Sequence, residues 1–525
     1  MQTTPLTTSG IIQRIQELVP PGAPEPQDPM LLGQLSELTQ ALIKDYEKSG
    51  RLQGDPFNEA WTRPLHLYEA EVRNQIQGKT VLVTGGEGYV GSHLIARLVD
   101  LGAKRIVSVD NARCNQASQS QAIAGQAPNV ILYAADVRDV GALRQIFEAE
   151  KPSFVFHLAA IRIPGLAEKI ILETVTSNIF GTQNIIQVCE EQGVEQCIFS
   201  STGKASRYWT GEVYAASKKV AEWLFAQASR TGRVQYGMVR FTHMLNNSSM
   251  IEQIEGKVEN DRPINIHAPE RYVVGQNVGE AVNLLLNATV VSDPNQLRFI
   301  LVRNLGWPTE SLEVALYKIR ESGKNLPIYF QGIPPGYEES FFLGQVDWDH
   351  QTEINTLINA LETEYCSAIS SSKDMIVSET IPFSEETLNE QLASLRVLCS
   401  DPEIPQVAVK QKLADLVFEV GKTTFLNATP QRGLQILKWG VNLKRYQRGE
   451  FSLAPYKPFF ELVVQSLHKR VTSQVLQDCK ISPQEFEEML DALTIFPAIQ
   501  DEISDMKRLV QSFTSLENRM VGQAA

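Results

Sequence analysis

The run Thr84-Gly85-Gly86-Glu87-Gly88-Tyr89-Val90-Gly91 constrains this chain more than any other feature. It follows the β-branched run Val81-Leu82-Val83 directly and opens a helical stretch over Ser92 to Asp100. Glycines at 85, 88 and 91 allow the tight turn and close backbone approach that a pyrophosphate at a helix N-terminus requires. A lone glycine pattern is weak, but the strand, turn, helix order around this one points to dinucleotide binding, with Tyr89 and Val90 in the same turn.

The surrounding texture agrees. From Lys79 onward, β-rich runs (TVLVTGG, RIVSVD, NVILYAAD, SFVFHLAA, QCIFSS, YGMVRF) alternate with amphipathic helical stretches. Six such runs predict an α/β Rossmann fold with a doubly wound parallel sheet. Arg298 to Val302, a helix over Ser311 to Ser322 and Pro327 to Phe330 predict a small substrate-side α/β subdomain.

Outside this region the pattern is helical. A short helix over Ile11 to Leu18, a proline-dense linker from Pro20 to Pro29 and an amphipathic helix over Met30 to Lys48 suggest an appended arm. Beyond Ser367 the strand signal fades into helical segments such as Glu385 to Leu398 and Val407 to Val420. The expected domains are therefore an arm and linker over 1–77, the dinucleotide and substrate domain over 78–366, and an all-α domain over 367–525.

A chain of 525 residues is too long for one ordinary core, and 43% hydrophobic with 21% charged residues excludes wholesale disorder. The net charge of -13 argues against nucleic acid or an anionic membrane surface as the main partner. The N-terminus lacks a signal-peptide pattern and no apolar run approaches the length of a membrane span, so a cytoplasmic protein is expected. The six cysteines form no CxxC pair, so neither a metal site nor a disulfide framework is signalled.

Candidate cofactor contacts follow from strand order. Asp110 ends the second run at the spacing where a carboxylate accepts the adenosine ribose hydroxyls, with Asn111 beside it. That favours NAD, while Arg113 keeps NADP open by offering a partner for a 2'-phosphate. Asp136 and Val137 follow the third run, where a carboxylate can meet the adenine amino group or cap a helix. Leu158, Ala159 and Ala160 follow His157 at the end of the fourth, where small residues let the backbone lie against the nicotinamide ribose; His157 itself is expected to be packed.

Downstream, Ser200-Ser201-Thr202 ends the fifth run and Tyr214 precedes Lys218 by four residues on a predicted helix. Four residues apart is one helical face, so the ammonium can lower the phenol pKa while bonding the nicotinamide ribose. The phenolate then removes a substrate hydroxyl proton as hydride leaves the same carbon.

These features together resemble the extended short-chain dehydrogenase/reductases that modify nucleotide sugars, and among them the CapD-type polysaccharide-biosynthesis family, which includes inverting UDP-N-acetylglucosamine 4,6-dehydratases. Ser201-Thr202-Gly203-Lys204-Ala205 resembles that family's Ser-Thr-Asp-Lys-Ala, and Val239-Arg240-Phe241 its sixth-strand motif. Pro263 to His267 through Arg271-Tyr272, and Gly332 to Glu339, are similar to its substrate-side runs.

The resemblance implies that Tyr214 and Lys218 run an oxidation, Thr202 bonds the reacting hydroxyl and Lys204 is a base at the sugar's C5. Gly203 stands where the family has its acid, and Glu212 or Tyr208 are the candidates to replace it. Arg162 replaces a family lysine, and Pro334 stands in place of an arginine. Arg162, Arg240, His267 and Arg271 are the substrate-binding candidates; among these a guanidinium fork suits a diphosphate.

The expected function is an NAD(P)-dependent nucleotide-sugar enzyme of dehydratase or epimerase type acting on a small-molecule substrate such as a UDP-sugar. A net oxidoreductase (ketone reductase or alcohol dehydrogenase) on a specialised metabolite and a non-catalytic dinucleotide-binding scaffold are the alternatives. Homo-oligomerisation is expected, as is docking of a protein partner on the C-terminal helices, where Lys444 to Arg448 form a basic cluster.

Overall fold

The computed structural model describes residues 7–111, 127–339, 343–345, 355–365, 367–401, 403–449 and 452–523, with side chains described up to 512. Two N-terminal helices come first, α1 (Thr8–Leu18), capped by Thr7, and α2 (Pro29–Lys48), capped by Asp28 with proline at its first turn. Their apolar faces, including Ile11, Ile15, Leu35 and Leu42, are buried.

The central sheet contains β1 (Thr80–Thr84), β2 (Arg105–Asp110), β3 (Val130–Ala134), β4 (Phe154–His157), β5 (Gln196–Thr202), β6 (Gln235–Phe241), β7 (Arg298–Val302), β8 (Ala368–Ile369) and β9 (Met375–Glu379). Its order is β8-β9-β7-β6-β5-β4-β1-β2-β3. Strands β1 to β7 run parallel, while β9 pairs antiparallel with β7 and β8 antiparallel with β9. The β3-β2-β1-β4-β5-β6 portion is the doubly wound Rossmann order, which places ligands at the carboxyl ends of β1 and β4 where the winding reverses.

Helix α3 (Tyr89–Asp100) leaves the end of β1, and α4 (Val213–Thr231) follows β5. The substrate half contains α5 (Ser249–Glu259) and α6 (Ser311–Ser322), with Ile264–Ile266 pairing parallel to Ile328–Phe330. Helices α7 (Glu385–Cys399) and α8 (Gln406–Asn427) come after the sheet. No helix among the described residues is long and apolar enough to cross a membrane.

Two boundaries differ from expectation. The division at 366/367 cuts into the sheet, because β8 and β9 lie beyond it and Met375 to Glu379 register against Val302 to Arg298. The serines at 370 to 372 enter the turn of this hairpin: Ser370 Oγ accepts the Met375 N–H at 3.1 Å, and Ser370 N–H donates to the Met375 carbonyl. Side-chain hydroxyls supplied turn geometry that a composition argument reads as irregular.

The N-terminal arm is likewise integral. Ile11, Ile15, Val19, Leu35 and Leu42 share one core with Ile251 and Ile254 of α5, Leu312 and Leu316 of α6 and the strand residues Ile264 and Ile328. Helices α7 and α8 contribute Leu388, Leu392, Leu413, Leu416 and Val417 to the core of the sheet and cover the outer face of α4. That explains why α4 is buried around most of its circumference. A second core, from Phe425 to Val510, forms the distal helical part.

Candidate active site

A cavity of about 530 Å³ opens at the carboxyl ends of β1, β4 and β5 and extends between the sheet and the substrate half. Its floor is the glycine turn. Gly85 has φ +71°, and a Cβ there would lie 2.7 Å from the Ala159 nitrogen; one at Gly91 would lie 2.2 Å from the Gly85 carbonyl. The turn therefore admits only glycine at these positions. Helix α3 opens at Tyr89 without a side-chain cap, and Gly88, Tyr89, Val90 and Gly91 line the cavity, so its first N–H groups are placed for an anion.

Asp110 stands at the end of β2, where its carboxylate accepts the Glu87 N–H at 3.1 Å; the Glu87 carboxylate accepts from Ser108 Oγ at 3.0 Å. The glycine turn, Leu158 and Ala160 line the cavity, whereas Asp110, Glu87 and Ala159 do not. Asn111 is exposed next to Asp110. Arg113 lies outside the described residues.

Asp136 and Val137 are not on the cavity wall. Asp136 is held by Arg138, whose Nη2 is 2.6 Å away, and Val137 packs against Gly181. The helix that follows is capped by Asp139, whose carboxylate accepts the Ala142 N–H at 3.0 Å.

Tyr214, Thr202, Lys204 and Lys218 all line the cavity. Burial pushes the Tyr214 phenol upward, while the Thr202 hydroxyl beside it and the charge of Arg162 oppose that shift. Burial draws the Lys218 ammonium down to about 7, with Glu222 opposing, and its Nζ lies 4.0 Å from the centroid of the Phe199 ring. His157 is packed as expected: Thr84 and Thr182 hold its two nitrogens at 2.7 and 3.0 Å, and burial lowers it to about 3.

Asn178 belongs to this group although nothing in its short helical segment advertised it. It accepts the Ile161 N–H at 2.8 Å, donates to the Ile161 carbonyl at 3.1 Å and donates to Ser217 Oγ at 3.0 Å. It thus fastens the loop after β4 to α4 beside Tyr214.

The substrate candidates separate. Arg162, His267 and Arg271 line the cavity. His267 packs against Tyr337 with ring centroids 5.3 Å apart, and burial, helped by Arg271, keeps its imidazole low. The loop carrying Arg271 is braced from the N-terminal arm, since Glu310 accepts the Glu270 N–H at 2.9 Å while bonding Tyr46 at 2.9 Å and Arg51 at 2.7 Å.

Arg240 is a correction: it is 1% exposed and does not reach the cavity. Its five N–H groups go to Glu222 (2.9 and 2.7 Å), Glu362 (2.7 and 2.6 Å) and the Leu357 carbonyl (2.8 Å). Its β6 position, opposite Ser201, directs the side chain into the interior rather than to a ligand.

Lys204 meets a cluster that the sequence did not assemble. Its Nζ donates to Glu212 Oε2 at 2.7 Å and to the Gly336 carbonyl at 3.1 Å. Arg207 bonds Glu212 and Glu339 at 2.8 and 2.7 Å. Burial lowers Lys204; against burial's upward push, Lys204 and Arg207 hold Glu212 below the ordinary carboxylate range. Glu212 is therefore ionised and is no proton donor. Tyr208, the other replacement considered, is buried in the distal core with its hydroxyl donating to the Gly344 carbonyl at 3.1 Å and accepting the Ala360 N–H at 3.1 Å.

Fold and cavity together define a Rossmann-type α/β protein whose cavity lies at the carboxyl ends of the parallel strands. Residues 81–360, more than half of the chain, match the polysaccharide biosynthesis protein family, and the chain belongs to it. It is 29% identical over 287 residues to the "Probable polysaccharide biosynthesis protein EpsC" of Bacillus subtilis, covering 53% of this chain and 47% of that protein. Against the capsular polysaccharide biosynthesis protein CapD of Staphylococcus aureus it is 26% identical over 323 residues, covering 57% and 53%. The chain thus spans about half the length of these curated relatives. Among solved structures, Pen from Bacillus thuringiensis aligns with a TM-score of 0.50 at 20% identity, over 59% of this chain and 90% of Pen, and shares the fold.

Proposed function

We propose that this chain is a nucleotide-sugar enzyme of polysaccharide biosynthesis that takes a sugar hydroxyl to the ketone and back. The observation that carries this is the convergence of Tyr214, Thr202 and Lys218 with the glycine turn on one cavity. The polysaccharide names of its relatives and the UDP-glucose 4-epimerase of Yersinia pestis, 34% identical over 124 residues, support the substrate class.

A nicotinamide dinucleotide, when bound, supplies the hydride acceptor and donor. On this reading the glycine turn and the start of α3 hold its diphosphate, and Asp110 takes the adenosine ribose and disfavours a 2'-phosphate, so NAD is the cofactor. Lys218 offers its ammonium to the nicotinamide ribose and Tyr214 removes the proton of the reacting hydroxyl, which Thr202 orients. Arg162, His267 and Arg271 face the sugar nucleotide.

Mass analysis of the dinucleotide released by denaturing the purified protein is expected to give NAD. Tyr214→Phe is expected to retain it and lose about 10²–10⁴-fold in turnover of a UDP-sugar. Stoichiometric conversion of added free nicotinamide dinucleotide, read by the near-ultraviolet absorbance of its reduced form, would sink a self-recycling enzyme in favour of a net oxidoreductase.

A further inference from the structure

A ketone on a sugar ring acidifies the neighbouring C–H, and a site that goes on to expel a hydroxyl needs two further groups: a base for that C–H and an acid for the departing oxygen. Lys204 can serve as one of these, not both together. Where the acid of the resembled motif would stand, Gly203 is walled in. A Cβ there would lie 2.9 Å from Leu357 Cγ and 3.5 Å from Leu357 Cα. Leu357 is fully buried. Its segment is locked onto this turn by Ser206 Oγ, which donates to the Thr356 carbonyl at 3.0 Å, and by Asn359, which donates to the Ser206 carbonyl at 2.8 Å.

The other groups near Lys204 are spoken for among the described residues. Glu212 is held ionised by Lys204 and Arg207, and its second oxygen accepts the Glu339 N–H at 3.0 Å. Burial raises Glu339, and its oxygens accept from Arg207 at 2.7 Å and from the Gly211 and Glu212 N–H groups at 2.6 and 3.2 Å, which holds the carboxyl against the 207–212 segment. A guanidinium such as Arg207 does not release its proton. Burial, helped by Arg271, draws His267 toward the neutral form, and burial raises the Tyr337 phenol, with the Gly165 backbone opposing. Glu270 lies at the exposed rim.

Resting on the reading of the site as a nucleotide-sugar oxidation centre, we infer that this chain inverts a secondary alcohol without expelling hydroxide: it is an epimerase, although the motif around Lys204 resembles that of dehydratases. The reacting carbon loses a hydride from one face and, once the keto sugar has turned over in the cavity, regains it on the other; its oxygen loses and regains a proton through Tyr214, and no C–O bond breaks. Substrate and product are isomers. Lys204, tied to Glu212 and Gly336, shapes the wall and has one N–H left to offer the sugar.

The test uses the protein with its bound dinucleotide and two probes, UDP-N-acetylglucosamine and UDP-glucose, with products resolved by chromatography and mass. An isomeric sugar nucleotide of unchanged mass is expected. A product lighter by one water overturns the inference while leaving the oxidation reading intact; no conversion of either probe together with no transient reduced nicotinamide sinks both. Thermal melting gives a second readout independent of turnover. Gly203→Asp is expected to lower the melting temperature and Leu357→Ala in the same chain to restore part of it, with water loss appearing only in the double variant. A Gly203→Asp protein that melts like wild type, or that dehydrates without the second change, overturns the claim that this wall excludes the acid.

Discussion

Two ion clusters flank the end of β5, built from the same residue types and set to different uses. Arg240, Glu222 and Glu362 form the inner one, with side chains 1%, 4% and 6% exposed, and Ser201 Oγ adds a 2.5 Å bond to Glu222. Lys204, Arg207, Glu212 and Glu339 form the outer one, in which Lys204 and Glu339 keep 15% and 19% of their side chains exposed on the cavity wall. In the inner cluster every guanidinium N–H has an acceptor, so it behaves as a fastener joining β6, α4 and the 357–362 turn. The outer cluster has an open edge, and only charges with an open edge can respond to a ligand. Burial and charge alone therefore do not mark a functional site; access does.

The largest expected effect tests that distinction. Arg240→Met leaves Glu222 and Glu362 facing each other without their cation, and denaturant titration should show a loss of ~3–5 kcal/mol. Lys204→Met leaves Glu212 still paired with Arg207, so its loss should be only ~1–2 kcal/mol, with the greater part of its effect on turnover. Equal destabilisation by the two would erase the contrast.

A smaller effect is set by pH. Burial lowers Lys218 from 10.5 to about 7, so between those values the unfolded chain carries a proton that the folded chain lacks, and stability of the dinucleotide-free protein rises with pH across that window. Lys219, drawn by burial to about 8, acts in the same sense, so Lys218→Met should reduce the slope of melting temperature against pH rather than abolish it. An unchanged slope would mean that Lys218 is not desolvated in solution.

The smallest concerns Arg162, whose charge opposes the upward push of burial on Tyr214. Arg162→Gln should move the alkaline-going rise of kcat/KM to higher pH. A loss of activity with no movement of the profile would confine Arg162 to substrate binding.

Legibility in the sequence followed locality. That the glycine turn, Thr202, Tyr214 and Lys218 share one cavity was readable because each depends on a few residues of contiguous chain: a turn, a strand end, one helical face. Arg240 was misplaced because a strand residue's destination depends on which elements cover each face, and Glu362 lies 122 residues away in sequence. Asn178 and the partners of Lys204 were missed for the same reason, since Glu339 and Gly336 come from a loop more than 120 residues beyond the helix they meet.

By itself the sequence determined the periodicities and turns, and with them a Rossmann sheet carrying a Tyr/Lys pair near a glycine turn, because these rest on backbone sterics and short-range spacing. Tertiary structure alone decided that the N-terminal helices brace the substrate wall, that β8 and β9 extend the sheet, and that Leu357 stands against Gly203. Those outcomes turn on which distant side chains share one volume, and close packing settles that only when the whole chain has folded.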